Sequence, residues 1–297
     1  MSHKHLMGLL GAVGLGLGHA TAQSAALVWG GNPKVLSKES SVHMDSEKIK
    51  LKIGHTWTSV TCAFVLRNDG PACKVRIGFP DQGWGPKADS DDEDAKLGSF
   101  QAFVDGKKTT TEPVSGEEGG ASIVWHERTI PFTRHQTRYI LDQYKVRTGT
   151  AIASGNIPIH EVAFLMHTGS SWKGPIKKVN VVAEFDEDLV PDDITAEPAR
   201  QLHVKWATDY DGWDQVSRGT VYYHAFARPS VDGTTLTFDA HNLQPSARSD
   251  IYLYCRAGRG RPHQHSVAVV NTTKRRRHHV HQTLHHQKVF HPEETEQ

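Results

Sequence analysis

A chain of 297 residues with 37% hydrophobic and 23% charged content is long enough for a sizeable core in one β domain or two small ones. Its balance is that of a soluble globular protein with polar tails. The net charge of +1 hides a split, because eight Lys or Arg and three Glu from Arg256 onward leave everything before at −4. The body is mildly acidic and the tail basic, which excludes reading a nucleic-acid function into the body.

In chain order, a short basic start at Met1–His5 precedes an apolar, glycine-spaced run from Leu6 to Gly18. Ala20-Thr21-Ala22 then fits the small-x-small cleavage rule, so residues 1–22 read as a signal peptide with Gln23 first in the mature chain. No later stretch is apolar enough to span a bilayer, so no transmembrane anchor is expected after cleavage. A periplasmic or secreted protein is expected.

A β domain is expected over 27–257. Glu47–Ile53 alternates cleanly, with Ile49, Leu51 and Ile53 facing in. Thr58–Phe79 is the strongest signal and reads as a hairpin with its turn on Asp69-Gly70. That register pairs Leu66 with Cys73, Phe64 with Val75, Cys62 with Ile77 and Val60 with Phe79. All eight then share one dry face. It leaves Cys62 and Cys73 about 13 Å apart along the strands, beyond disulfide reach. Both read as small core residues, with a bond to Cys255 left open.

A polar loop covers Asp81–Gly98. Phe100, Ala102 and Val104 alternate into a second hairpin turn at Asp105-Gly106. Ile123–Thr133, Arg138–Arg147, Glu161–His167 and Ile176–Phe185 are further strands, followed by an acidic connector at Pro191–Pro198 that marks a possible sub-boundary near 191–200. Leu202–Trp206, Thr220–Phe226, Thr234–Phe238 and Asp250–Arg256 complete the series. Roughly ten short strands between turn signals, with no amphipathic helix, predict an all-β antiparallel β-sandwich. Residues 258–297 carry eight histidines and Lys274-Arg275-Arg276-Arg277 with almost no periodic apolar content, so a disordered tail is expected.

Several landmarks together resemble a family of exported bacterial β-sandwich domains of unknown function. They are Gly31-Asn32-Pro33, Phe64 to Gly70, Gly78-Phe79-Pro80, Phe103 to Gly106, Gly169 to Gly174 and Asn242 to Pro245. The likeness covers Gly30 to Arg256 and implies an exported β-sandwich. It brings no catalytic residues, and the His-rich tail departs from it.

The candidate chemistry is sparse. Trp206, Tyr210 and Trp213, followed by Tyr222 and Tyr223, are aromatic rings of the kind that stack on sugar faces, although large aromatics more often fill cores. Asp209, Asp211 and Asp214 around Gly212 are the better calcium candidate, the run Asp89–Asp94 lacking the glycine and final glutamate of an EF-hand loop. His278, His279, His281, His285 and His286 would bind zinc, copper or nickel weakly in any low-complexity tail. Lys274–Arg277 reads as tail charge before it reads as a lipid or nucleic-acid patch. Trp172, between glycines, is expected to plug the end of the sandwich.

No nucleophile–base pattern, His-Glu-x-x-His or phosphate-cradling loop is present. His126-Glu127 and His160-Glu161 are strand neighbours that should point to opposite faces. The sequence thus reads as a non-catalytic exported binding or structural module. It has no cofactor beyond a calcium candidate, and an envelope glycan or another envelope protein as partner. A glycan-binding module using Trp206, Tyr210 and Trp213 is the first alternative. A hydrolase whose carboxylates meet only in three dimensions is the second.

Overall fold

A computed structural model of the chain describes residues 27–37, 41–84, 97–118, 121–153, 157–186, 189, 203–206 and 220–256. The chain divides into two units, Met1–Arg261 and Pro262–Gln297, and every described residue lies in the first. The expected leader (1–22), tail (258–297) and acidic connector (191–200) fall outside the described residues. Among the described residues no helix is long and apolar enough to cross a membrane.

The fold is all-β, with eighteen strands among the described residues, numbered in chain order. Ten form one sheet: β14 (His203–Trp206), β15 (Thr220–His224), β18 (Ile251–Arg256), β12 (Ile157–Leu165), β1 (Leu27–Gly31), β5 (Cys73–Trp84), β9 (Ala121–Phe132) and β8 (Glu112–Glu118) in spatial order. In that sheet β11 (Gly149–Ala153) also pairs with β12, and β2 (Lys34–Val35) with β5. Eight form the other, in the order β16 (Ser230–Asp232), β17 (Thr235–Leu243), β13 (Ile176–Phe185), β3 (Val42–Ile53), β4 (Trp57–Asn68), β10 (Thr137–Arg147), β6 (Gly98–Val104) and β7 (Lys107–Thr109). The strand number exceeds the expected ten. The sandwich is also mixed, because β1–β12, β3–β13 and β14–β15 run parallel. Chain after the connector joins both sheets, β14, β15 and β18 the first and β16 and β17 the second.

The two sheets meet over one core. Ile49, Leu51 and Ile53 of β3 and Val60, Cys62, Phe64 and Leu66 of β4 are buried, as their alternation predicts. From the other sheet come Val75, Ile77 and Phe79 of β5 and Val162 and Phe164 of β12. The ring centroids of Phe79 and Tyr144 lie 5.2 Å apart, and those of Tyr223 and Phe238 6.0 Å apart, both pairs bridging the sheets. A Cβ on Gly30 would lie 2.0 Å from the Tyr144 hydroxyl, so only glycine lets β1 approach there.

The Thr58–Phe79 hairpin does not form. β4 pairs with β3 and β10, whereas β5 pairs with β1, β2 and β9 in the opposite sheet. The dry faces are as read, apart from a half-buried Cys73, but they confront one another across the core instead of lying side by side. Alternation states which residues are buried and is silent on which sheet a strand joins. At the crossing neither Asp69 nor Gly70 takes a positive φ. Asn68 holds the corner instead, donating to the carbonyls of Pro71 (2.6 Å) and Thr133 (3.0 Å) and accepting from Gly70 N–H (2.9 Å). The Asp105-Gly106 turn forms as expected, with φ of 50° and 76°, joining Val104 to Lys107. All three cysteines are free, Cys62 and Cys255 being buried.

Two of the resemblance landmarks, Gly31-Asn32-Pro33 and Gly169–Gly174, are structural fasteners. Trp172 is buried and donates its indole N–H to the Pro33 carbonyl (2.7 Å), as a plug should. Asn32 donates its backbone N–H to Leu165 (2.9 Å) and its side-chain amide to Glu47 (3.0 Å), and its carbonyl accepts from Thr168 (2.6 Å). The Gly31-Asn32-Pro33 segment and the short 3-10 turn at His167–Ser171 thereby lock onto each other.

Candidate ligand-binding face

Buried charge sits mainly between the sheets. Arg128 of β9 reaches across to Asp142 of β10 at 2.8 Å, both side chains being almost wholly excluded from water. Burial raises Asp142 above the usual carboxylate range, Arg128 opposing that rise. Burial likewise pushes Glu47 up to about 8 against the hydrogen bond from Asn32, so Glu47 is neutral at pH 7. This interior cluster joins the sheets and is closed to ligands.

The neighbours His126 and Glu127 diverge as strand geometry requires. His126 lies 3.1 Å from Asp81 and stacks on Phe100, whereas Glu127 faces Arg76 at 3.7 Å. His160 and Glu161 diverge likewise. His160 lies 3.2 Å from His55, and burial, with His55 adding to it, lowers it to about 4. Glu161 projects from the other face of β12.

That other face holds the arrangement with most chemical content. The strands β14, β15, β18 and β12 set Lys205, Tyr222, Tyr254 and Glu161 in one row, each beside the next in register. Strands spaced about 4.8 Å apart make the row about 14 Å long. Beside it runs a second row, His224, Tyr252 and Ala163, with the His224 and Tyr252 rings 5.8 Å apart. Strand alternation explains this, since Val221, Tyr223, Leu253 and Cys255 fill the core and send Tyr222, Tyr252 and Tyr254 outward.

The three outward tyrosines are half-buried and Lys205 is exposed, its ammonium 5.8 Å from the centre of the Tyr222 ring. At the far end Glu161 is pushed up to about 7 by burial alone. A carboxyl so placed accepts or donates a proton near neutrality, and two flat rings separate it from a cation.

Among the residues singled out from sequence, Trp206 ends β14 at the register position of Tyr223. Tyr210, Trp213 and the calcium candidates Asp209, Asp211 and Asp214 lie on the connection from β14 to β15, outside the described residues. The Asp89–Asp94 run and the tail histidines also lie outside them. Among the described residues no group of three His, Cys, Asp or Glu is arranged to hold a metal ion. Lys205, Glu161, Tyr252 and Tyr254 were missed as site residues. The outward alternation of Tyr252 and Tyr254 was available in Asp250–Arg256, but the pairing of Tyr254 with Glu161 and Tyr222, and of Tyr252 with Ala163 and His224, was not.

No family model matches the chain, and no curated protein matches it in sequence. Its fold is that of a solved structure from Legionella pneumophila, a proposed nutrient-binding protein. The TM-score is 0.54 at 13% identity, over 78% of this chain and 72% of that one. Fainter likenesses, too low in TM-score to carry an argument, are to native yeast LTA4 hydrolase and to an M1 zinc metallopeptidase from Deinococcus radiodurans. The first gives a TM-score of 0.37 at 10% identity, over 74% of this chain and 30% of that one. The second gives 0.32 at 8% identity, over 73% and 43%. Fold and face together describe a two-sheet β-sandwich with an aromatic strip on one outer surface.

Proposed function

We propose that the chain is an exported, non-catalytic binding module, and that an envelope glycan lies along the Lys205–Tyr222–Tyr254–Glu161 row. The in-register row carries the reading. Tyrosine rings offer flat apolar surface to the C–H face of a sugar, and Lys205 and Glu161 at its ends match hydroxyl acceptors and donors. The leader, with its apolar run and Ala20-Thr21-Ala22, supports export. The Legionella structure's assignment to nutrient binding supports a binding role on this fold.

The test is co-sedimentation of the full chain with peptidoglycan and with insoluble envelope polysaccharide. Tyr254→Ala should weaken binding about tenfold, the equivalent of about 1.4 kcal/mol, with an unchanged unfolding midpoint. Undiminished binding by both Tyr254→Ala and Tyr222→Ala would discard the site. Absence of binding by the wild-type chain would discard the glycan reading.

A further inference from the structure

We propose that the outer face of the eight-stranded sheet is a second contact surface, and that it holds an anionic polysaccharide lying along the strands. The first observation is its openness. On β4 the outward residues Ser59, Thr61, Ala63 and Val65, and on β10 Leu141, Gln143 and Lys145, are all half-buried or exposed. The corresponding face of the other sheet buries Ile159, Leu165 and Trp125.

The second observation is what the open face displays. β3 presents Lys48, Lys50 and Lys52 in one column, all exposed and in register with Ala63, Thr61 and Ser59 of β4. Lys145 stands beside Ser59 on the other side. Lys50 pairs with Glu184 at 2.8 Å. Lys48, Lys52 and Lys145 make no ion pair among the described residues. The hydrogen bond from Lys50, with the charges of Lys50 and Lys52, holds Glu184 below the usual carboxylate range. The chain before the tail is net acidic, so this clustering of cations is a local property of one face.

An exposed aromatic closes each end of the lysine region. Trp57 is 40% and Tyr139 62% exposed. Tyr139 lies beside Val65, eight residues along β4 from Trp57, which is about 26 Å at 3.3 Å per residue. Arg147 lies over the Trp57 ring at 4.4 Å and adds charge at that end. Between the rings runs a shallow apolar seam of Val65, Ala63, Leu141 and Phe103, Phe103 lying beside Leu141 on β6.

An extended anionic sugar chain fits this plan, with carboxylates or sulfates over the lysines and ring faces over the seam and aromatics. A neutral glycan would leave the lysine column unused. A bilayer would need apolar side chains grouped to insert together, whereas Trp57 and Tyr139 stand a strand's length apart. The proposal does not depend on the tyrosine row of the other sheet.

The test passes the full chain over immobilised polygalacturonate and, for comparison, immobilised dextran, and runs flotation with phosphatidylglycerol vesicles. The expected result is retention on polygalacturonate that falls as salt rises, with none on dextran. Apparent affinity should drop at least tenfold in Lys48→Gln/Lys50→Gln/Lys52→Gln and clearly in Tyr139→Ala. Unaltered retention in the triple variant would overturn the proposal and assign binding to the basic tail. No retention of the wild-type chain, or association with vesicles alone, would also overturn it.

Discussion

The outer surfaces of the two sheets have opposite character, although the strands beneath them alternate alike. The ten-stranded sheet buries Ile159, Leu165 and Trp125 on its outside and half-buries Glu161, raising its carboxyl pKa. The eight-stranded sheet keeps lysines, threonines and glutamines on its outside, with Tyr139 mostly in water. An outward position in a strand is therefore a statement about direction alone. Whether it means solvent depends on what the rest of the chain lays over it.

The largest predicted effect concerns the charge that both sheets share. Arg128→Ala leaves Asp142 buried without its partner and should cost about 3–5 kcal/mol in denaturant unfolding. Next, the same truncation on the two outer faces should separate them. Ile159→Ala should cost about 2–4 kcal/mol as a fully buried residue, and Leu141→Ala less than about 1 kcal/mol. Equal costs would break the distinction between the faces.

The pH dependence of stability sharpens it further. Glu47 and Glu161 have folded pKa values above the unfolded one, so the folded state binds protons more tightly. Their contribution is fully present below about 4.5 and is lost as pH rises, through about 7 for Glu161 and about 8 for Glu47. Glu161→Gln should flatten the slope of stability between about pH 4.5 and 7, and Glu47→Gln that between about 4.5 and 8. His160 acts the other way. Its folded pKa of about 4 makes its contribution present above about 6.5 and lost as pH falls towards 4. The smallest effect is chemical. Burial raises the thiols of Cys62 and of Cys255, the latter to about 12, so a thiol reagent at pH 8 should label Cys73 quickly and the other two only on unfolding.

Residue-level burial was legible wherever a strand borders one dry and one wet side. Ile49, Leu51 and Ile53, the four apolar residues of β4, and the plug Trp172 are all where their pattern places them. Asp105-Gly106 and Asp69-Gly70 show the limit of turn signals. Both dipeptides tolerate positive φ, but only the first makes the hairpin. The second lies where the chain leaves one sheet for the other, held by Asn68. Its flanking strands would have been apolar on one face in either arrangement.

The candidate site was legible as single rings and scattered carboxylates, never as a row. Glu161 appeared as the neighbour of His160, and its opposite direction followed from strand geometry. Its partial burial did not, because that depends on distant segments.

By itself, the sequence determined the all-β class, the inward and outward sense of most strands, the Asp105-Gly106 turn and the role of Trp172. Each of these follows from backbone periodicity or from local φ preferences within a few residues. Tertiary structure decided the partners: which sheet each strand enters, the crossing of Arg128 to Asp142, and the line from Lys205 to Glu161. Those depend on contacts between positions far apart in the chain, where local periodicity is the same for every possible partner.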